Sequence, residues 1–225
     1  MIRKKVLIIG GEGHGTCITS CINDNIKHDP LYQYEVAGFV NDYQKQICNY
    51  PVLGGTNDIK RLSDEGYYFA WGINLIAKNP LTFQTFQKMN VPLTKLVTIV
   101  HFSAFIGEDV ELSPGILVMP HAYIAARTKL GTGTMVKANV CIGHDVECGS
   151  LCHFAMGSIV GSLSKIGICS HVAIGATLLD KGTMGSFSIL GANSLATHPI
   201  GDYEIHVGSP ARFFKKIEKN AIYTC

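Results

Sequence analysis

The residues best suited to chemistry in this 225-residue sequence are an adjacent histidine and aspartate, His144 and Asp145. An imidazole has an ordinary pKa of about 6.5, so it can take or give a proton at neutral pH. A neighbouring carboxylate can fix the tautomer of the ring and stabilise the imidazolium form. The pair is therefore a candidate general base, which would take a proton from an attacking amine or hydroxyl group.

The His-Asp pair lies within a hexapeptide repeat. From Val100 to Leu190 an apolar residue returns at every sixth position. This period fits neither an α-helix nor an ordinary strand, and it is typical of a parallel β-helix, whose triangular coils each contain three short strands. His144 follows Ile142 and Gly143, so we expect its side chain to leave the prism at a corner. Glycine often follows the apolar residue, where we expect it to allow corner conformations closed to other residues.

The residues before the repeat predict a small α/β nucleotide-binding domain. An apolar strand over residues 4–9 leads into a glycine-rich loop over residues 10–15 and then a helix. Glycines let the backbone approach a phosphate, and a helix N-terminus offers unpaired N–H groups. A second strand ends at Asn41 and Asp42, where the Asp42 carboxylate could accept hydrogen bonds from a ribose or a base. The loop departs from the dinucleotide fingerprint, because Thr16 occupies the place of the third glycine.

These two patterns divide the chain into two predicted domains. Residues 1–97 are expected to form a Rossmann-like nucleotide-binding domain. Residues 98–225 form the β-helix domain with a C-terminal cap. Only about 95 residues precede the prism, which argues against a nicotinamide-dependent oxidoreductase.

Composition excludes several classes of function. The net charge of +2 and a charged fraction of 16% leave no basic stripe, so we expect neither a nucleic acid partner nor membrane insertion. No apolar run reaches the roughly 18 residues of a membrane span, so a cytoplasmic protein is expected. The eight cysteines contain no CxxC pair, which favours reduced thiols over disulfides or a metal site.

Loop and prism together resemble the bacterial nucleotide-sugar N-acetyltransferases and sialic acid O-acetyltransferases of the PglD and NeuD type. The resemblance covers essentially the whole chain. It implies a left-handed β-helix, a homotrimer, and acetyl-CoA bound between neighbouring prisms. It also implies a nucleotide-sugar substrate, commonly a UDP-linked 4-amino-4,6-dideoxyhexose used in bacterial glycan synthesis. The motifs that carry it are residues 9–15 (Ile-Gly-Gly-Glu-Gly-His-Gly), 40–42 (Val-Asn-Asp), 142–146 (Ile-Gly-His-Asp-Val) and 207–212 (Val-Gly-Ser-Pro-Ala-Arg).

The same resemblance assigns site residues. It makes His144 the proton acceptor of an acetyl-CoA-dependent N-acetyltransferase, with Asp145 where relatives often carry glutamate. The substrate contacts that it implies are Gly13, His14, Gly15, Asn41, Asp42 and Gly55. The acetyl-CoA contacts that it implies are His153, the backbone amides around Ile174 and Ala192, and the phosphate-attracting Arg212, Lys215 and Lys216. The backbone N–H near Gly161, one coil beyond Gly143, is a further candidate as the donor to the oxyanion.

Three other functions remain open at this point. The same base would serve an O-acetyltransferase acting on a sugar or on sialic acid. A protein that binds a nucleotide sugar without turnover is also compatible with the motifs. A prism-shaped zinc carbonic anhydrase is disfavoured, because His144 and His153 are nine residues apart and no His-x4-His motif occurs, so no metal is expected.

Overall fold

The computed structural model describes residues 2–218, so Met1 and residues 219–225, including Cys225 and the end of the predicted cap, lie outside the described residues. The N-terminal part is an α/β unit. Its elements are β1 (Lys4–Ile9), α1 (Glu12–His28), β2 (Tyr34–Val40), β3 (Gln46–Ile47), β4 (Tyr50–Gly54), α2 (Ile59–Asp64), β5 (Tyr68–Trp71) and α3 (Asn79–Met89), with 3-10 turns at Thr56–Asp58 and Leu93–Lys95.

The N-terminal sheet has the strand order β3-β4-β2-β1-β5. β1 pairs in parallel with both β2 and β5, and only the short β3 is antiparallel to its neighbour. Strand β1, which has a parallel neighbour on each side, is completely buried from Val6 to Ile9, as a parallel strand covered on both faces must be. The carboxyl ends of β1, β2 and β5 therefore meet at one edge of the sheet, where ligands bind in such folds.

The rest of the described chain is a left-handed parallel β-helix, as the resemblance implied. Its strands in chain order are β6 (Ile99–Val100), β7 (Phe105–Ile106), β8 (Glu111–Leu112), β9 (Leu117–Val118), β10 (Tyr123–Ile124), β11 (Lys129–Leu130), β12 (Met135–Val136), β13 (Cys141–Ile142), β14 (Glu147–Cys148), β15 (His153–Phe154), β16 (Ile159–Val160), β17 (Lys165–Ile166), β18 (His171–Val172), β19 (Thr177–Leu178), β20 (Thr183–Met184), β21 (Ile189–Leu190), β22 (Leu195–Ala196), β23 (Glu204–Val207) and β24 (Arg212–Lys216).

The repeat predicts the core of the prism correctly. The apolar residue of each hexad is the second residue of its strand, and from Val118 to Leu190 every one is buried. Val100, Ile106 and Leu112 are only partly buried, because they belong to the first coil and have stacking partners on one side alone. Ala196 continues the series by one further position and stacks on Leu178.

The glycines that follow the stacking residues have a different role from the one expected. Their φ angles are not positive; the left-handed residue lies two positions later in each turn and is glycine in only four of fifteen turns. A Cβ at Gly131 would instead lie 2.5 Å from backbone atoms of the next coil, and one at Gly143 would lie 2.6 Å from the Ser162 nitrogen. Glycine is required there because neighbouring coils approach closely.

The three faces of the prism differ in their outward side chains, which are the first residues of the strands. We call them the docked face, the apolar face and the charged face. The docked face (β6, β9, β12, β15, β18, β21) carries Ile99, Leu117, Met135, His153, His171 and Ile189, all buried. The apolar face (β7, β10, β13, β16, β19, β22) carries Phe105, Tyr123, Cys141, Ile159, Thr177 and Leu195. The charged face (β8, β11, β14, β17, β20) carries Glu111, Lys129, Glu147, Lys165 and Thr183.

The docked face is buried because the N-terminal domain packs on it. Side chains of β1, β2, β5 and α1 share one apolar core with Leu117, Met135 and Phe187 of the prism. The buried Asn25 of α1 fixes the arrangement: its amide donates to the Val100 carbonyl at 2.9 Å and accepts from the Phe102 N–H at 2.9 Å. The relative position of the two domains is thus set by apolar packing and by paired polar groups.

Candidate active site

His144 lies on the corner between the apolar and charged faces, which we call the apolar–charged corner (residues 107–110 and their equivalents at intervals of 18). Its side chain is 51% exposed, as expected for a residue that leaves the prism. Its Nδ1 lies 2.6 Å from Oδ2 of Asp145. The shorter aspartate, where relatives often carry glutamate, therefore reaches the ring.

Asp145 has a second partner that the sequence did not suggest. Arg127, one coil earlier at the same position of the turn, donates from Nε to Oδ1 at 2.8 Å and from its terminal nitrogen to Oδ2 at 2.7 Å. Both residues have positive φ, so their side chains leave equivalent points of stacked turns. The only signal in the sequence is the separation of 18 residues, which becomes meaningful once the coil length is known.

The arginine and the histidine together determine the charge of the carboxyl group. Hydrogen bonds from Arg127, and then from His144, hold the pKa of Asp145 well below its ordinary value. The ionised carboxylate can only accept hydrogen bonds, so the His144 Nδ1 carries the ring proton that it receives. Nε2 of a neutral His144 is then left with its lone pair and can accept a proton from a substrate.

The backbone around the site corrects one assignment. The Gly161 N–H donates to the Leu178 carbonyl at 2.8 Å, and the Ser162 N–H donates to Asp180 Oδ1 at 2.6 Å. The prediction that the Gly161 N–H serves as an oxyanion donor is therefore wrong, because this N–H is already engaged in a hydrogen bond between neighbouring coils. Within residues 2–218 the N–H groups of Ile174 and Ala192 have no hydrogen-bond partner, so they stay available to a ligand.

His153 lies apart from His144, on the docked face. It is only 5% exposed, and neither of its ring nitrogens has a hydrogen-bond partner in the described part of the chain. Its ring centroid is 5.3 Å from that of His14 in α1 and 4.7 Å from that of His171 on the next coil. Lys137 completes this group, with Nζ 3.3 Å from His14 Nδ1. A contact of His153 with acetyl-CoA stays a prediction.

These imidazoles predict that acid destabilises the protein. Burial lowers the pKa of His171 to about 4, and burial with the nearby Lys137 lowers that of His14 to about 4. In the unfolded chain the values return to about 6.5. Between these limits the unfolded state binds more protons, so the free energy of unfolding falls as the pH decreases from about 6.5 to about 4, by about 3 kcal/mol for His171.

Urea unfolding at pH 7 and at pH 4.5 measures this loss. Carboxylates also titrate in the same range, so the informative quantity is the difference between the wild type and His171→Gln, which has no titrating ring. The variant should lose about 2 kcal/mol less than the wild type over that interval, since His171 is not yet fully protonated in the folded protein at pH 4.5. Equal losses in both proteins would show that His171 does not become charged on unfolding.

The N-terminus of α1 is open to a ligand. No side chain caps the helix at Gly11, and a Cβ built on Gly13 would meet nothing within 4 Å. Unpaired N–H groups and the helix dipole together favour an anion at such a position. The placement of Gly13 and of the neighbouring His14 is compatible with the substrate contacts predicted for them.

Gly15 packs helix α1 against the sheet, and its contact with a substrate stays a prediction. It lies on the buried face of α1, and a Cβ there would lie 2.7 Å from Cε1 of Phe39 and 3.6 Å from a methyl group of Ile8. Gly15 therefore permits close packing of helix on sheet, the role that the third glycine plays in the dinucleotide fingerprint. The fingerprint has its third glycine at the position of Thr16, so the sequence alone indicates that this glycine is absent. The structure shows that Gly15, one residue earlier, takes its packing role.

A pair of alanine variants separates the roles of the two glycines. Gly15→Ala should lower the free energy of unfolding by about 1–3 kcal/mol, because the methyl group overlaps the Phe39 ring. Gly13→Ala should leave stability unchanged or slightly raised, because its methyl group points into open space and alanine favours a helix. Urea unfolding of both variants measures the difference. Equal stability would contradict the packing role of Gly15.

The residues at the end of β2 are largely engaged within the protein. The Asn41 amide donates to the Gly10 carbonyl at 3.0 Å, and its oxygen accepts from the Tyr43 and Gln44 N–H groups. Asn41 therefore shapes the glycine loop, and its contact with a substrate stays a prediction. Asp42 accepts from the Thr56 N–H at 2.7 Å through Oδ1, next to Gly55, where a Cβ would collide with that oxygen. The exposed Asp42 keeps its other oxygen for a ligand.

A cleft of about 560 Å³ separates α1 from the prism. On the prism side it is bounded by the corner between the docked and apolar faces, which we call the docked–apolar corner (residues 101–104 and their equivalents at intervals of 18). The unpaired N–H groups of Ile174 and Ala192 belong to later coils of the same corner. Residues that line the cleft include Thr16, Cys17 and Ser20 of α1 and Lys137, Ala138 and Met156 of the prism.

The end of the described chain forms a hairpin on the docked face. β23 pairs in parallel with β21, and β24 pairs antiparallel with β23. Arg212, Lys215 and Lys216 of β24 are all exposed. Their predicted contact with coenzyme phosphates is compatible with this exposure and stays a prediction.

Comparison with known proteins defines the class of the N-terminal domain. Residues 5–78 match the family model of the PglD N-terminal domain. This stretch contains the glycine loop, α1 and the end of β2 described above. Over these residues the chain is thus similar to the PglD N-terminal domain.

Solved structures agree with the chain along nearly its full length. A variant of perosamine N-acetyltransferase from Caulobacter crescentus, in complex with CoA and GDP-perosamine, is 23% identical, with a TM-score of 0.81 over 96% of this chain and 99% of that one. The acetyltransferase domain of PglB from Neisseria gonorrhoeae is 23% identical, with a TM-score of 0.82 over 94% and 100%. WeeI from Acinetobacter baumannii is 18% identical, with a TM-score of 0.69 over 95% and 100%. The chain has the two-domain fold of these proteins.

Two structural features that define other classes of protein are absent from the described residues. No helix between residues 2 and 218 is long and apolar enough to cross a membrane. Within the same residues, no group of three or more histidine, cysteine, aspartate or glutamate side chains is arranged to hold a metal ion.

Proposed function

We propose that the protein is an acetyl-CoA-dependent N-acetyltransferase that acts on a nucleotide-linked amino sugar for bacterial glycan synthesis, with His144 as general base. The observation that carries the proposal is the chain of hydrogen bonds from Arg127 through Asp145 to His144, which leaves Nε2 of an exposed imidazole free to accept a proton. Proteins of the same fold have been solved with CoA and with GDP-perosamine, which supports this choice of substrates.

The proposed reaction needs one base and a place for each reactant. The amine of the sugar attacks the thioester carbonyl as His144 Nε2 takes its proton; the tetrahedral intermediate then collapses, the C–S bond breaks, and the CoA thiolate leaves and takes up a proton. Asp145 stabilises the imidazolium that forms, without itself becoming protonated. The nucleotide sugar would use the N-terminus of α1, and the pantetheine arm would use the N–H groups of Ile174 and Ala192.

The three faces of the prism support a homotrimer. The docked face is covered by the N-terminal domain, and the charged face carries ion pairs such as Lys129–Glu111 at 2.8 Å. The apolar face instead exposes a row of stacked apolar side chains, in which Phe105 is 55% and Ile159 is 46% exposed. Such a row is typical of a protein interface. In such a trimer the apolar faces of three subunits would meet around a threefold axis. The apolar–charged corner of each subunit would then lie beside the docked–apolar corner of the next subunit. His144 of one subunit would then lie beside the α1 cleft of its neighbour.

Measuring release of the CoA thiol with a panel of acceptors tests the proposed function. The panel contains UDP- and GDP-linked 4-amino sugars, the matching 4-hydroxy sugars and free sialic acid. The N-acetyltransferase assignment requires acetylation of at least one amino sugar and a much smaller rate with the matching hydroxy sugar. Reaction with hydroxyl acceptors alone would establish the O-acetyltransferase instead, and binding without turnover of any acceptor would remove the catalytic assignment.

A further inference from the structure

Acetyl transfer needs a donor to the oxyanion of the tetrahedral intermediate, and the corner that carries His144 has one unused side-chain donor. Negative charge develops on the thioester carbonyl oxygen, and a fixed hydrogen-bond donor aimed at that oxygen is a large term in catalysis. The N–H groups of Gly161 and Ser162, one coil beyond His144, are both engaged within the protein. The Ser162 hydroxyl, in contrast, has no hydrogen-bond partner in the part of the chain that the structure describes.

Ser162 occupies the same position of the turn as His144, one coil further along the prism. The two residues are 18 positions apart, and each comes second after a stacking residue, Ile142 or Val160. The side chain of Ser162 points back toward the coil of His144, since a Cβ built on Gly143 would lie 2.5 Å from Ser162 Oγ. The hydroxyl therefore lies against the backbone immediately before the base. Ser162 is partly exposed, so a ligand can reach it.

The N–H groups proposed for the pantetheine arm lie toward the same end of the prism as Ser162. Ile174 and Ala192 belong to later coils than His144. In a trimer with a threefold axis the three prisms run in the same direction. An arm held by these groups of one subunit would therefore reach His144 of the next subunit from the side of the later coils. Ser162 lies on that side of the base, where the thioester carbonyl would arrive.

We propose that the Ser162 hydroxyl donates a hydrogen bond to the carbonyl oxygen of the bound thioester and, more strongly, to the oxyanion formed from it. The inference rests on the proposed acetyltransferase function. When the acceptor amine attacks, the carbonyl π electron pair moves to the oxygen and a proton of the amine passes to His144 Nε2. As the C–S bond breaks, that electron pair forms the carbonyl again, and Ser162 keeps its own proton throughout. A donor binds a charged oxygen more strongly than a neutral one, so the contact favours the transition state.

Ser186 provides a control with a closely similar local structure. Its N–H donates to Asp202 Oδ1 at 2.7 Å, as the N–H of Ser162 does to Asp180, and a Cβ on Gly167 would lie 2.7 Å from its Oγ. Ser186 lies on the corner between the charged and docked faces, away from the apolar face that carries the proposed interface. The two alanine variants should therefore have similar effects on stability, and only that of Ser162 should affect the reaction.

Steady-state kinetics with the acceptor found in the panel compares the wild type, Ser162→Ala, Ser162→Thr and Ser186→Ala. Ser162→Ala should lower kcat roughly 100-fold, as expected for loss of one oxyanion donor, with the KM of acetyl-CoA changed by less than about threefold. Ser162→Thr keeps the hydroxyl and should recover most of the lost rate. Ser186→Ala should stay within about threefold of the wild-type kcat. Equal kcat values for the two alanine variants, or a threonine variant as slow as Ser162→Ala, would overturn the proposal.

Infrared spectroscopy of bound acetyl-CoA tests the same contact without an acceptor. The stretching frequency of a carbonyl group falls when its oxygen accepts a hydrogen bond, and isotopic labelling of the thioester carbonyl separates its band from those of the protein. We expect a lower frequency on the wild type and Ser186→Ala than on Ser162→Ala. The same frequency on all three proteins would overturn the proposal. Failure of the proposed function would instead appear as an acceptor panel without turnover, so the two failures are distinguishable.

Discussion

Replacing His144 by alanine should lower kcat by about 100- to 10,000-fold, because the attacking group loses the base that takes its proton. The side chain is half exposed and contacts Asp145 within its own turn, so the variant should fold as the wild type does. Steady-state kinetics with the acceptor found in the panel, together with calorimetric titration of acetyl-CoA, measures both quantities. A general base predicts a loss in kcat with the Kd of acetyl-CoA nearly unchanged.

The matched control for this variant is His198→Ala. His198 is also exposed and also follows a strand of the apolar face, but its ring contacts the neighbouring Thr197 hydroxyl rather than a carboxylate. Its removal should change kcat by less than about threefold, within the range of a surface substitution. If His144→Ala kept the wild-type rate, or if both variants lost activity equally, His144 would have no role as the base.

Ile159→Glu should dissociate the proposed trimer and abolish its activity. Ile159 lies in the middle of the apolar face, and three copies of a charge buried around one axis would repel one another without counter-ions. Light scattering coupled to size-exclusion chromatography should show a change from the mass of a trimer to that of the 24.4 kDa monomer. Activity should fall as well, because the proposed site combines His144 of one subunit with the cleft of the next.

The charged face provides the control for Ile159→Glu. Thr183→Glu introduces the same side chain at the equivalent outward position of a strand on that face, where residues 111, 129, 147 and 165 are already charged. This variant should keep the oligomeric mass and the activity of the wild type. An Ile159→Glu protein of unchanged mass would show that the apolar face is not the subunit interface.

Much of the fold could be predicted from local patterns. The hexad repeat determines which residue of each strand points inward, because every coil has the same length and stacks its apolar residue on that of the previous coil. The repeat also determines that His144 lies on a corner, since the residues after each stacking position form a turn. The helix from Asn79 to Met89 follows from its own sequence, with proline in the first turn.

The sequence was less informative about what each glycine does. Gly15 and the glycines after the stacking residues were assigned to ligand contact and to backbone freedom, but both serve close packing against Phe39 or against the next coil. In the sequence, a glycine shows only that a side chain is absent at that position. Which neighbour needs that space depends on residues distant in the sequence, so only the assembled structure shows it.

By itself, therefore, the sequence determined the prism, the α/β domain before it and the exposed histidine with its acidic neighbour, because all of these depend on residues within one hexad or one strand. The tertiary structure decided the rest. It brought Arg127 to Asp145 across one full coil, placed α1 over the docked face, and left Lys137 and His153 buried together. These contacts join residues that are 18 or more than 100 positions apart, and no local pattern specifies which distant side chains will meet.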